Sequence, residues 1–428
     1  MKVSVDKLAQ RLSASLDGDS IIGGNTLLAE HDVDGVTPKL ICAPATVEQL
    51  AAAVRIFSEA QATIAPWGGG TAIGLGNPPR SLDVVVSTIR LNQVIEHDPA
   101  NLTVTVQSGI TLNALQNVIA AKQQFVPFDA PLPERSTIGG IVAANLNGPR
   151  RASYGSVRDL VIGMKVVLAS GEIVKAGGKV VKNVAGYDMC KLFTGSLGTL
   201  AIIAEVTLRV APIPPNSATV ITLGSRAQAA DLAGRLAGTK LLPTSTFIFN
   251  AGEAAHWQLA VGFAGFVETV TRQVNDLSEL AQRLGMTQEI VDGERVRQYW
   301  QALADLPVSQ DRLVYRLTVP RDAVMRTIST IADWIKGEPA RTICADMAMG
   351  TVWIVLPANQ SALDLFPRLI PLTQQQRGHA VIFTAPAKLK QATDVWGPPT
   401  PAHGLMRKIK QEFDPAGLLN PGRFVGNL

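Results

Sequence analysis

Short apolar runs alternate with longer amphipathic stretches along most of the chain, and the pattern becomes regular at Leu40. Residues 40–44 (LICAP) read as a buried strand. Thr46 follows in the position of a helix N-cap, with Gln49 at the capping-box position, and predicts a helix over 47–60. A second strand over 62–67 runs straight into Gly68-Gly69-Gly70. Strand periodicity returns at 82–88 and 102–109, and Thr111 caps a helix over 112–123. Three more strands are predicted at 164–170, 172–177 and 201–210, and Pro212, Pro214 and Pro215 then end the pattern, because proline removes ladder donors. Beyond them, strand-like runs at 218–223, 247–251, 256–263, 312–319, 351–357 and 379–385 alternate with helical stretches at 227–238, 269–285 and 321–337. That order predicts an α+β chain whose second domain is an antiparallel sheet covered by helices. The expected divisions are a leader over 1–37, a first domain over 38–214, an α+β cap over 215–400, and a closing segment over 401–428 that returns to the first domain.

Composition narrows the classes without choosing among them. With 46% hydrophobic and 17% charged residues in 428, the chain is an ordered globular protein long enough for two domains and able to bury a large ligand. Its net charge of +4 comes from 39 basic and 35 acidic residues mixed along the sequence. No basic block of the kind favoured by nucleic acid or anionic lipid is present. Cys42, Cys190 and Cys344 are far apart and form neither a disulfide framework nor a metal-ligand spacing, so reduced thiols are expected. The first twenty residues are polar and amphipathic with acids among them, unlike a secretory signal or transit peptide. No apolar run approaches the roughly 20 residues that span a bilayer. The expected location is cytoplasmic, with membrane association at most peripheral and through partners.

Three glycine-rich segments carry the candidate chemistry. In the first, Pro66-Trp67-Gly68-Gly69-Gly70-Thr71 and Gly74, successive glycines let backbone N–H groups turn toward an anion such as a diphosphate. Taken alone, a three-glycine loop is structural about as often as it binds a ligand. It lacks the Gly-Lys-Ser/Thr of a P-loop and the GxGxxG of a dinucleotide fold. The second segment holds Ser136, Thr137, Gly139, Gly140, Ala143, Ala144 and Asn145, followed by Gly148, Tyr154 and Gly155. Its small residues admit a flat ring system and its hydroxyls can donate, although a tight helix-packing surface has the same spacing. The third runs from Lys182 through Tyr187 and Asp188 to Gly198 and enters a strand at Ile202 and Ile203, whose backbone groups can read an adenine edge.

In this order and at these distances, the three segments resemble the PCMH-type, or vanillyl-alcohol-oxidase-like, FAD-binding domain. Within that group the chain resembles the FAD-binding subunits of bacterial glycolate oxidase, the GlcE type. The resemblance covers about residues 38–214 and returns in the ending from Phe413 to Arg423 (FDPAGLLNPGR). It implies that Trp67 to Thr71 and Gly74 wrap the FAD diphosphate. It further implies that Ser136 to Gly140 and Ala143 to Asn145 line phosphates and isoalloxazine, and that the Ile202–Ile203 backbone meets the adenine side. Relatives with covalent flavin often carry a histidine just after the glycines; Thr71 stands there, which implies noncovalent FAD.

The resemblance also implies an enzyme that oxidises a 2-hydroxy acid, glycolate to glyoxylate. Its implied partners are a homologous catalytic flavoprotein subunit and an iron–sulfur subunit. Related dehydrogenases carry a histidine-rich segment in the cap, and the corresponding residues Cys344 to Thr351 contain no histidine. The alternatives are a stand-alone dehydrogenase of another hydroxy acid such as D-lactate, or a non-catalytic interaction subunit with a vestigial pocket. His31, His97, His256, His379 and His403 show no active-site pairing and read as ordinary core or surface histidines. Arg377, His379 and His403 are weak candidates, and Lys182, Tyr187 and Asp188 are equally explained by a network holding their loop. Trp257, Trp300, Trp334 and Trp353 read as cap core. No residue is assigned as catalytic.

Overall fold

The computed structural model describes residues 5–22, 24–178, 187–252, 256–308, 311–338 and 340–428. The chain forms two compact units, one made of Met1–Leu146, Ser156–Pro212 and Lys390–Leu428, the other of Asn147–Gly155 and Ile213–Leu389.

In the first unit, β1 (Ile21–Ile22), β2 (Leu40–Cys42), β3 (Ile64–Trp67) and β4 (Val84–Ser87) form a sheet in the order β1-β2-β4-β3. Strands β2, β4 and β3 are mutually parallel. Parallel strands need a crossover, here the helix Val47–Glu59 between β2 and β3. The Thr46 hydroxyl accepts the Gln49 N–H at 3.1 Å, as its position predicts, while the Gln49 side chain accepts from Ala45 rather than from Thr46. Leu50, Val54 and Phe57 on the helix are fully buried and pack in one core with Ile64, Val84, Val86 and Leu419. Pro66 is tolerated because β3 is the sheet's edge. The C-terminal tail covers that edge: Ile64 N–H donates to the Leu418 carbonyl and Asn420 N–H to the Ile64 carbonyl, both at 2.8 Å.

The same unit continues through β5 (Val94–Asp98), β6 (Thr103–Gln107), β7 (Gln124–Phe125), β8 (Val161–Val167), β9 (Ile173–Gly177), β10 (Ile202–Arg209) and β11 (Ala211–Pro212). Five of these make an antiparallel sheet ordered β5-β6-β10-β8-β9, while β7 and β11 pair separately. The helix Ile138–Ala144 packs against β10.

The second unit is built on β12 (Asn216–Gly224), β13 (Ser245–Ala251), β14 (Trp257–Gly265), β15 (Thr287–Asp292), β16 (Arg312–Thr318), β17 (Thr342–Asp346), β18 (Thr351–Pro357) and β19 (His379–Thr384). They form one antiparallel sheet in the order β15-β12-β14-β13-β17-β18-β16-β19. Helices Arg226–Ala237, Val267–Arg283, Glu294–Asp305, Val324–Trp334 and Phe366–Gln374 interleave with the strands. Periodicity alone did not reveal β15, an edge strand that buries Val291 and exposes Thr287, Glu289, Ile290 and Asp292. Among the described residues, no helix is long and apolar enough to cross a membrane.

Candidate functional site

The loop after β3 is held against the segment that precedes the helix Ile138–Ala144. A Cβ on Gly68 would lie 2.1 Å from Thr137 Oγ1, and one on Gly69 only 1.7 Å from the Arg135 carbonyl oxygen. No side chain fits at either position. Gly70 turns with φ +72°, in the left-handed region that favours glycine. The loop borders a cleft of about 510 Å3, open to solvent, that also gathers Thr137, Gly140, Ala143 and Ala144. Of the sequence-selected residues, Pro66, Trp67, Gly68, Gly69, Gly70 and Thr71 line it with those four.

The remaining candidates occupy other positions. The Ser136 hydroxyl bonds to the Pro131 carbonyl and to Thr71 Oγ1, and Thr137 Oγ1 caps the helix by accepting the Gly140 N–H at 3.3 Å. Gly139 faces away from the cleft: its Cβ would lie 2.7 Å from the Cβ of Ser108, so its smallness serves packing. Asn145 ends the helix in the left-handed conformation, φ 49°. Gly148, Tyr154 and Gly155 lie in the segment Asn147–Gly155 of the second unit. Ile202 and Ile203 pair with Val167 and Val166 of β8, and their side chains are buried. Residues 182–186 lie outside the described residues; Tyr187 is 94% exposed, and Asp188 caps the helix Met189–Phe193.

A buried charged cluster beside the glycine loop escaped sequence reasoning. The Lys390 ammonium donates to Asp34 Oδ1 and Oδ2 at 2.9 and 3.0 Å and to the Gly74 carbonyl. Arg423 Nη2 donates to the Ile73 and Leu75 carbonyls, and its own carbonyl accepts from Asn77 N–H and Trp396 Nε1 at 3.1 and 3.0 Å. Burial pushes the Lys390 ammonium below its ordinary pKa against the opposing pull of Asp34, and lowers Arg423 to about 10. Arg423 and Asn420 line the cleft. The ending over 413–423 was the available signal for these two; Asp34 and Lys390, 356 positions apart, offered none.

The second unit carries a polar row on its sheet. Strand register aligns Phe247, Asp346, Thr351, Thr318 and His379, and in the next row Phe249, Cys344, Trp353, Arg316 and Val381. Residues paired across antiparallel strands share a face. The apolar end of this face, including Phe247, Phe249 and Cys344, packs with Tyr299 and Trp300 of the helix Glu294–Asp305. The Arg316 guanidinium lies 5.3 Å from the Phe383 ring centre and makes no ion pair among the described residues. Burial, with the charge of Arg151, lowers it to about 10. Burial pushes the Asp346 carboxyl up to about 6, although it accepts the Ala348 and Met349 N–H groups at 2.9 and 3.1 Å.

Residues 38–177 match the family described as FAD binding domain, and residues 399–424 match the C-terminal domain of FAD linked oxidases. The chain superposes on p-cresol methylhydroxylase with a TM-score of 0.77 at 17% identity, covering 98% of this chain and 96% of that one. The chain has the PCMH-type FAD-binding fold. Its relatives include glycolate oxidase subunit GlcD of Bacillus subtilis, 28% identical over 90% of this chain and 88% of the relative. Glycolate oxidase subunit GlcE of Escherichia coli is 28% identical over 78% and 85%. A D-2-hydroxyglutarate dehydrogenase of Xanthomonas citri is 36% identical over 44% and 40%.

FAD is the cofactor of this PCMH-type chain, and the residues fit it. Gly68, Gly69, Gly70 and Gly140 line the cleft without side chains, and two buried polar atoms of cleft-lining residues, Asn420 Oδ1 and Arg423 Nη1, have no hydrogen-bond partner among the described residues. An anion carrying hydroxyl groups satisfies both.

Proposed function

We propose that the chain is the FAD-binding subunit of a glycolate oxidase complex that oxidises glycolate to glyoxylate. Its partners are a homologous catalytic flavoprotein subunit and an iron–sulfur subunit. The observation that carries this reading is similarity along most of the chain to two proteins named as glycolate oxidase subunits. FAD, when bound, supplies an acceptor for a hydride equivalent from the carbon that bears the hydroxyl. The cofactor-binding residues proposed for it are Trp67 to Thr71, Thr137, Gly140, Ala143 and Ala144. A 2-hydroxy acid also needs a cation for its carboxylate and a base for its hydroxyl proton. The segment Cys344 to Thr351 offers no histidine as base, which supports a division of labour with a catalytic partner.

The purified chain with FAD and a dye acceptor is expected to leave glycolate unoxidised until the partner subunits are added. Efficient turnover by the chain alone overturns the accessory-subunit reading. It favours instead a stand-alone dehydrogenase of a 2-hydroxy acid such as D-lactate, a second reading supported by the similarity to the D-2-hydroxyglutarate dehydrogenase.

A further inference from the structure

We propose that the C-terminal tail completes the flavin site, Arg423 holding the FAD diphosphate and Asn420 offering its amide oxygen to a ligand hydroxyl. The inference is independent of the substrate and rests on the glycine loop as the diphosphate cradle. Arg423 is 2% exposed, and a buried guanidinium is costly unless its charge and donors are matched. Two carbonyls take Nη2, while Nη1 has no hydrogen-bond partner among the described residues. Its carboxylate neighbour, Asp34 Oδ2, is 3.7 Å away, beyond hydrogen-bond reach, and both Asp34 oxygens are already engaged by Lys390. Among the described residues, two cations thus share one carboxylate.

Three residues earlier, Asn420 donates from Nδ2 to the Leu197 carbonyl at 2.7 Å and leaves Oδ1 buried without a donor. Both residues line the cleft bordered by Gly68 to Ile73. The tail therefore presents a charged donor and a neutral acceptor to one ligand. A diphosphate joined to polyol groups answers both, whereas a flavin without phosphate leaves the charge of Arg423 unanswered.

The test compares FAD and riboflavin binding to the full-length apoprotein by flavin fluorescence, together with thermal unfolding in inorganic pyrophosphate. Arg423→Met is expected to weaken FAD about 10- to 100-fold with riboflavin affinity held within about twofold, as for a lost charge-assisted bond. Pyrophosphate should raise the melting temperature of the unsubstituted apoprotein and leave that of Arg423→Met unchanged. Asn420→Ala should weaken FAD about 3- to 10-fold, the range for one neutral hydrogen bond. Arg423 also ties two loop carbonyls, so Arg423→Lys, which keeps the charge, should recover part of the pyrophosphate response even if the methionine variant folds poorly. Unchanged FAD affinity in Arg423→Met, an equal loss of riboflavin, or no pyrophosphate effect on the unsubstituted protein overturns the assignment. Gly69→Val separates the premise: if it still binds FAD normally, the loop reading itself fails, whereas lost FAD there with none lost in Arg423→Met sinks only the role of the tail.

Discussion

Asp346 shows how a single buried carboxyl sets a pH dependence. Its folded pKa of about 6 stands above the ordinary value of 3.8, so the folded protein holds this proton more tightly than the unfolded chain does. Below about pH 3 both states are largely protonated and little is lost. As pH rises from about 3 through about 6 the unfolded chain ionises first, and folding loses on the order of 2 to 3 kcal/mol, a cost fully present above about pH 7. Asp346→Asn retains an oxygen for the Ala348 and Met349 N–H groups and removes the ionisation. Urea unfolding should therefore show the variant more stable than the parent at about pH 7, with the two converging below about pH 3. A parent whose stability rises across that interval relative to the variant contradicts the assigned environment. The same residue illustrates the limit of sequence reading at this scale. Its position at the end of a strand is local, but its burial comes from the strands and loops folded around it.

At the scale of elements, the caps and strands β2, β3, β4, β6, β8, β9 and β10 of the first unit were legible because their causes are local, whereas the short or exposed β1, β5 and β7 were not expected. Thr46 and Thr111 each accept the N–H three residues on, at 3.1 and 3.2 Å, as their sequence positions imply. The small-residue segment was harder. Gly139 and Gly140 are neighbours of identical chemistry, yet one packs on Ser108 and the other faces the cleft, because successive helical residues point about 100° apart. Thr137 joins the two roles by capping the helix Ile138–Ala144 and lining the cleft. Thr137→Val preserves shape and removes the acceptor for the Gly140 N–H, so a loss of about 1 kcal/mol in unfolding free energy is expected. Urea titration measures it; no loss shows that water replaces the cap without cost.

For the whole molecule, β3 and the tail form a closed arrangement in which Leu419 is buried, Ile64 bonds to both of its neighbours, and Arg423 reaches the glycine-loop carbonyls. The Thr71 hydroxyl, directly after the three glycines, is engaged by Ser136 at 2.8 Å. The purified protein is expected to show a flavin absorption band and to release all of its FAD into the supernatant on denaturation. Flavin retained on the precipitated chain marks a covalent bond and refutes the noncovalent reading.

By itself, the sequence determined the α+β alternation, the caps, the glycine loop that follows a strand and the PCMH-type resemblance, because these follow from local periodicity and from motifs contiguous in the chain. Tertiary structure decided which small residues face the cleft and which serve packing. It also decided that the tail adds to the edge of β3, and that Asp34, Lys390 and Arg423 meet beside the glycine loop. Those contacts join residues more than 300 positions apart, and no local propensity encodes them; they exist because the buried sheet edge and the buried charges each require a partner, and only the folded chain brings one within reach.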